Sequence, residues 1–392
     1  LRYKNMGGGL MRLVGYFAQG VYLTGNPQIT FFKVVYRRHT NFSMELIQQT
    51  INGSVASGGR NTVTISRNGD LVTKMYWKYD LNGSGNSLNP GHALIGNVTL
   101  EIGGQKIDKH TGHFMEVHAQ LTEPNPAAIM LDSIAANTGT KFQNMAKAGG
   151  CVNASAEDAL NIWVPLRFWF NKNPGLALPL IALQYHEVRL ITEFTSPAHI
   201  DAIGNVEFWT EYIYLDTDER RRFAQVSHEY LIEQLQEQAS TGASRELNFN
   251  HPVKELIWTG AYAETTGVLT DISHTTYQLK LNGHDRFAAQ PLNYFTQVQV
   301  WEYHTGTPTK LDSAGLTPGT AAGNASVKGI AVYSFALKPE EHQPSGTCNF
   351  SRIDNAQLVS TGGTASDTIN VFAINYNVLR IMSGMGGLAY SN

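Results

Sequence analysis

The chain has 392 residues, a net charge of −3 and 16% charged side chains, below the ~25% typical of soluble domains. That length leaves room for two full cores. The charge excludes a protein that coats nucleic acid, because phosphate binding needs clustered Lys and Arg and the basic clusters here are only Lys33 with Arg37-Arg38 and Arg220-Arg221-Arg222. Low charge together with 37 Gly points to many turns and to surface covered by partners. Cys151 and Cys348 are too far apart for a disulfide framework or a metal finger. No apolar run reaches the ~18–20 residues of a membrane helix, and residues 1–14 carry glycines where a secretory leader needs an apolar stretch. The expectation is a soluble protein made in the cytosol.

Taken in chain order, period-2 alternation dominates. In 71–80, Leu71, Met75, Trp77 and Tyr79 share one face and Lys74, Lys78 and Asp80 the other. Val98, Leu100 and Ile102 alternate with polar residues and then meet a turn at Gly103-Gly104. Residues 116–121 are too short for an independent helix, and 126–148 predict one or two short helices in a long insertion. Val206, Phe208, Tyr212 and Tyr214 alternate with Glu207 and Glu211, and 216–223 predict a charged helical turn. Tyr277, Leu279 and Leu281 run into Asn282-Gly283, a strong hairpin signal. Val298 and Val300, set between Gln297, Gln299 and Trp301, predict one more strand. Residues 305–329 and 361–366 read as surface loops.

These landmarks recur. Arg37-Arg38, Ser43, Glu45 and Leu46-Ile47 are answered by Arg221-Arg222, Ser227, Glu229 and Leu231-Ile232. Residues 100–104 are answered by 279–283, 164–170 by 332–337, and 206–214 by 369–381. Such long-period self-similarity implies one fold used twice. The predicted organisation is a first repeat at 26–212, a linker at 213–224 and a second repeat at 225–392. The predicted fold class is all-β, two tandem eight-stranded antiparallel jelly-roll sandwiches with short helices in loops, because each repeat is too long for a seven-stranded sandwich.

Chemistry-bearing motifs are few. There is no G-x-S-x-G elbow, phosphate-binding loop, H-E-x-x-H or C-x-x-C, so no catalytic residue, cofactor or metal is expected. His110, His113 and His118, with Asp108 and Glu116 nearby, form the densest histidine cluster. On a helix of ~3.6 residues per turn they would spread around the circumference rather than converge, which favours solvated loop histidines. His186-Glu187 and His228-Glu229 match no metal motif. Arg220-Arg221-Arg222 should pair locally with Asp216, Asp218 and Glu219. Phe168-Trp169-Phe170 reads as core; as a sugar-stacking platform it would instead suit a carbohydrate-binding jelly roll, the alternative function. Seven N-x-[ST] sequons occur, at Asn41, Asn52, Asn82, Asn97, Asn153, Asn324 and Asn349. Asn82 and Asn324 are the glycosylation candidates, being set in Gly/Ser-rich loops.

Several long strings resemble one family. Residues 21–33 (VYLTGNPQITFFK), running on to Tyr36-Arg37-Arg38, are similar to the opening of the double jelly-roll major capsid proteins of nucleocytoplasmic large DNA viruses, especially the chlorella-virus (phycodnavirus) branch. Residues 173–188 (NPGLALPLIALQYHEV), 216–225 (DTDERRRFAQ), 334–339 (SFALKP), 345–352 (SGTCNFSR), 375–380 (NYNVLR) and 383–391 (SGMGGLAYS) resemble the same family. The resemblance implies a virion structural protein, built in the host cytoplasm, that forms homotrimeric pseudo-hexagonal capsomers. Its implied partners are neighbouring capsomers, minor capsid and penton proteins and, indirectly, an internal viral membrane. It also implies an N-terminal arm at 1–25 that faces those inner partners, here with Met6, Gly7, Gly8, Gly9 and Arg12. A duplicated sandwich under three-fold symmetry would present six similar units.

Overall fold

The computed structural model describes residues 18–82, 89–125, 139–150, 159–196, 202–263, 268–308, 329–364 and 366–390. Arm residues Met6, Gly7, Gly8, Gly9 and Arg12, the candidate Asn324, and Cys151 lie outside them. Two separate units divide the chain, Leu1–Asn41 and Phe42–Asn392. In the described part of the first, a short helix, Ala18–Thr24, is followed by residues without strand, and the large apolar side chains are exposed, Phe32 to 98%.

The second unit contains the two sandwiches. The strands of the first are β1 (Phe42–Gln49), β2 (Arg60–Thr64), β3 (Leu71–Asn82), β4 (Ile95–Ile102), β5 (Gln105–Thr111), β6 (Ala159–Pro165), β7 (Val188–Phe194) and β8 (Ala202–Leu215). Those of the second are β9 (His228–Ser240), β10 (Ser244–Glu246), β11 (Pro252–Thr259), β12 (Thr276–Leu281), β13 (His284–Asp285), β14 (Ile330–Ser334), β15 (Ala356–Thr361) and β16 (Ile369–Met382). One sheet of the first sandwich runs β1-β8-β3-β6 and the other β2-β7-β4-β5. The second sandwich repeats both orders, as β9-β16-β11-β14 and β10-β15-β12-β13. Every pairing is antiparallel. Strand n of the first half therefore has strand n + 8 as its counterpart, and the architecture is a double jelly roll.

The alternation read from sequence sets each face. Met75, Trp77 and Tyr79 of β3 enter the first core, where the Trp77 ring meets Phe194 at 5.3 Å and Phe208 at 4.8 Å between centroids. In the second core Trp258 packs on Tyr277 at 5.3 Å and Phe295 at 5.0 Å. The turns at Gly103-Gly104 (φ 60° and 81°) and Asn282-Gly283 (φ 50° and 79°) join counterpart strands, β4–β5 and β12–β13. Both need left-handed backbone, which Gly and Asn adopt most cheaply.

Three expectations need correction. Residues 297–301 are not a strand: a π-helical turn, Tyr294–Val298, runs into the helix Gln299–Tyr303. Leu292, Phe295, Thr296, Gln299 and Val300 are buried at helical spacing, a period that overrides the short Val/Gln alternation. The predicted short piece at 116–121 belongs to an eleven-residue helix, Gly112–Thr122, buried from Gly112 to Leu121 and capped by the Thr111 hydroxyl, which accepts from Phe114 N at 3.2 Å. Substituting Thr111→Ala should destabilise the chain by about 1 kcal/mol, read as a shift in the urea midpoint. Finally, Arg220 pairs with Asp70 at 3.0 Å instead of locally, because the helix Thr217–Gln225 carries its own acids in its first turn, where they meet the helix dipole.

Candidate assembly surfaces

Within the second unit, the helix Gly112–Thr122, leaving β5, lies on the outer face of β9-β16-β11-β14. Its Phe114, Val117 and Leu121 pack with Ile257, Ile330, Val332, Phe372 and Ile374. His113 stacks on Tyr262 with ring centroids 4.8 Å apart, and its Nε2 lies 2.9 Å from the Thr259 hydroxyl. Burial pushes its pKa down to about 3, so it packs as a neutral ring. Strand β9 is held against β5: the Gln234 amide donates to the Ile107 carbonyl, and Leu235 N donates to Asp108 Oδ1 at 3.1 Å.

Beside this dock lies a cleft of about 210 Å³ lined in part by His118, Arg167, Lys172, Lys254, Glu255 and Glu340. Glu233 sits between two ammoniums, Lys254 at 2.5 Å and Lys172 at 3.1 Å. Burial alone would raise its pKa; the two lysines outweigh burial and bring it down to about 2. His304 lies 3.1 Å from Glu255 and 3.1 Å from Glu340. Burial opposes its protonation, but the two carboxylates prevail and push it up to about 9. Arg167 pairs with Glu123. Counting His304 as charged, four cations (Arg167, Lys172, Lys254, His304) face four anions (Glu123, Glu233, Glu255, Glu340), and most of these pairs join the first half to the second or bind elements of the second together. Buried charges tolerate such a place only when paired. Of these pairs Lys172–Glu233 ties the first sandwich to the second, while the others brace each half from within.

The sequence-selected residues fall as follows. His110, His113 and His118 are buried rather than solvated, a correction whose cause is the dock that covers the helix for His113 and His118 and the Phe168 and Phe114 rings for His110 on β5. They point to different partners: His110 to Asp108 at 2.9 Å and the Phe168 ring at 4.5 Å, His113 to Thr259, and His118 to Thr122 at 3.2 Å. Glu116 turns away to His92 at 2.8 Å. Among the described residues no three His, Cys, Asp or Glu side chains are grouped to hold a metal. Phe168, Trp169 and Phe170 are core. His186 Nδ1 faces Gly386 O at 3.0 Å, and Glu229 pairs with Arg380 at 2.9 Å. Asn82 ends β3, and the Asn97 amide is bound to Glu193 at 2.6 Å. Sequence reading missed Glu233, Lys254 and His304, which are far apart in the chain and form no local motif. It also missed Trp301, 83% exposed, whose signal was the helical spacing around it.

Known proteins with the same layout give it a family. A profile described as "Major capsid protein N-terminus" matches residues 30–216, and one described as "Large eukaryotic DNA virus major capsid protein" matches 219–314 and 315–387. The chain belongs to the major capsid proteins of large eukaryotic DNA viruses. It is 50% identical to the major capsid protein of Pyramimonas orientalis virus, over 99% of this chain and 100% of that one. It is 42% identical to the major capsid protein of Paramecium bursaria Chlorella virus 1, again over 99% and 100%. In three dimensions this capsid protein matches a chain of the "PBCV-1 virus capsid, quasi-atomic model" with a TM-score of 0.77 and 37% identity, covering 93% of this chain and 100% of that one. The Faustovirus major capsid protein follows the same fold, with a TM-score of 0.64 at 13% identity over 94% of each chain. The capsid protein is thus a virion component that self-assembles, and these likenesses give the carbohydrate-binding alternative no support.

Proposed function

We propose that this capsid protein works as a homotrimeric, pseudo-hexagonal capsomer that tiles a large icosahedral shell. The observation that carries the reading is the repeated strand order, β1-β8-β3-β6 answered by β9-β16-β11-β14 within one unit: three such chains around one axis present six similar sandwiches. Edge contacts between capsomers are individually weak and gain strength by number, while contacts within the trimer are larger. In this reading the chain divides into an arm (1–25), sandwiches at 26–212 and 225–392, and a linker at 213–224, which contains most of the helix Thr217–Gln225. The arm, with Met6, Gly7, Gly8, Gly9 and Arg12, meets minor capsid proteins and, through them, an internal membrane. Penton proteins complete the vertices, assembly takes place in the host cytoplasm, and no nucleic acid is bound directly. The role is assembly without catalysis.

Light scattering of the full chain should give a mass of about 130 kDa, three times 43.2 kDa; a stable monomer would overturn the capsomer. Deleting 6–24 should leave that mass intact and abolish shells in electron micrographs. An unfolded monomer from the same deletion would move the arm into the core. Peptide mass mapping of virion protein should find glycan at Asn82 and Asn324 and an unmodified Asn97; an occupied Asn97 would contradict the assignment, since its amide is bound to Glu193.

A further inference from the structure

The duplication allows one surface to be read from its twin. In the second sandwich, the outer face of β9-β16-β11-β14 is covered by the helix Gly112–Thr122, which connects β5 to β6. The counterpart connection, β13 to β14, also contains helix, residues 294–303. The Gly112–Thr122 helix is buried almost throughout, but the second one presents Gln297, Val298, Trp301 and Glu302 to solvent. Among the described residues no such helix crosses the counterpart face, which is covered only at the end near Leu71 and Ile213, by Ala177 and Phe223. On β1-β8-β3-β6, Phe42, Met44 and Leu46 point outward and are 53%, 45% and 40% exposed. Across the same face, on the opposite edge strand β6, Trp163 lies between Tyr76 (5.8 Å) and Trp209 (5.9 Å), all three half-buried. Lys78, paired with Glu207 at 3.1 Å, sits over the Trp163 ring at 5.7 Å.

We propose that the 294–303 helix of a second copy of this chain covers the outer face of β1-β8-β3-β6, with Trp301 seated against Trp163 and Trp209. The occupant is a second copy because the same chain already makes the equivalent dock internally, between the same elements of the repeat. One unmatched helix and one unmatched face are what remain when a self-complementary contact is satisfied once within the chain. The edge strands agree. β9 is held to β5 by Gln234 and Leu235, whereas β1, its counterpart, has β8 as its one strand partner among the described residues. An exposed Trp facing an aromatic floor is the usual anatomy of an interface hot spot. The inference rests on the capsomer reading and adds its contact residues.

The test uses the full chain with Trp301→Asp and, separately, Leu46→Asp, each sized by light scattering across a concentration series and checked by thermal unfolding. A photo-reactive benzoylphenylalanine at position 301 provides an independent measurement. The expected result is a dissociation constant raised on the order of a hundredfold in either variant, with an unfolding temperature unchanged for Trp301→Asp. Cross-links from 301 should fall in β1, β6 or β8 of another copy. Oligomers of unchanged constant in Trp301→Asp, or cross-links confined to other segments, would overturn this dock and leave the capsomer standing. A native chain that stays monomeric would remove both. If Leu46→Asp fails to fold, the cross-link map decides.

Discussion

Glu233→Ala is expected to cost roughly 3–5 kcal/mol of stability, the usual consequence of removing one partner from a buried ion pair. Glu233 is the carboxylate shared by Lys254 and Lys172, and Lys254 is only 2% exposed. Its removal leaves an ammonium buried without a counter-charge, while Lys172, more open, can still reach water. The double change Glu233→Leu with Lys254→Met should recover most of the loss, since an apolar pair of similar volume leaves no orphan charge. Urea unfolding of the two singles and the double gives the coupling directly. Additive losses would show that the pair does not act as a unit. The linkage also has a sign: the depressed pKa of Glu233, about 2, makes its contribution full above its ordinary 4.5 and lost as pH falls through 2.

His304 should make the protein weaken in alkali. Its pKa is about 9 in the fold against an ordinary 6.5, so below 6.5 both folded and unfolded chains carry the proton and the stabilisation is complete. Between 6.5 and 9 the unfolded chain gives up its proton first, and the advantage fades. The gap corresponds to roughly 3 kcal/mol. The groups facing the imidazole are Glu255 and Glu340, with Thr305 also bonded to Glu340; His113 and His118 are held below their ordinary value and do not titrate in that window. Urea midpoints at pH 6.5, 7.5 and 9 should fall steeply for the native chain and stay flatter for His304→Gln. Parallel slopes would exclude His304 as the origin.

The fold was legible because its information is periodic and local. Trp77 and Tyr79 alternate with Lys78, Gly103-Gly104 and Asn282-Gly283 mark counterpart turns, and the repeat itself orders the strands. The docking site was not legible, and the reason is physical. Glu233 of β9, Lys254 of β11 and His304 at the end of the helix before β14 come together only when the second sandwich folds, and no spacing in the chain records that. His113 and His118 read as solvated because sequence gives a helix its faces but not what lies above them; here an entire second sheet does. Trp301 was lost to a two-residue alternation that the helical spacing of Leu292, Phe295 and Gln299 outweighed.

The pairing of each sandwich's first strand with its last also sets a clock. Phe42 lies opposite Leu215 and His228 opposite Ile381, so β1 waits for 173 further residues (215 − 42) before it has a neighbour. At about 5–20 residues per second of synthesis this is roughly 10–35 s. Throughout that time the nascent chain carries an unpaired strand with Phe42, Met44 and Leu46 along it, the kind of segment that seeds aggregation when many ribosomes make one product at once. Yield during infection would then be limited by how well the host's chaperones shelter one eight-residue strand, and slowing translation just before Leu215 should lower soluble protein more than slowing it just after.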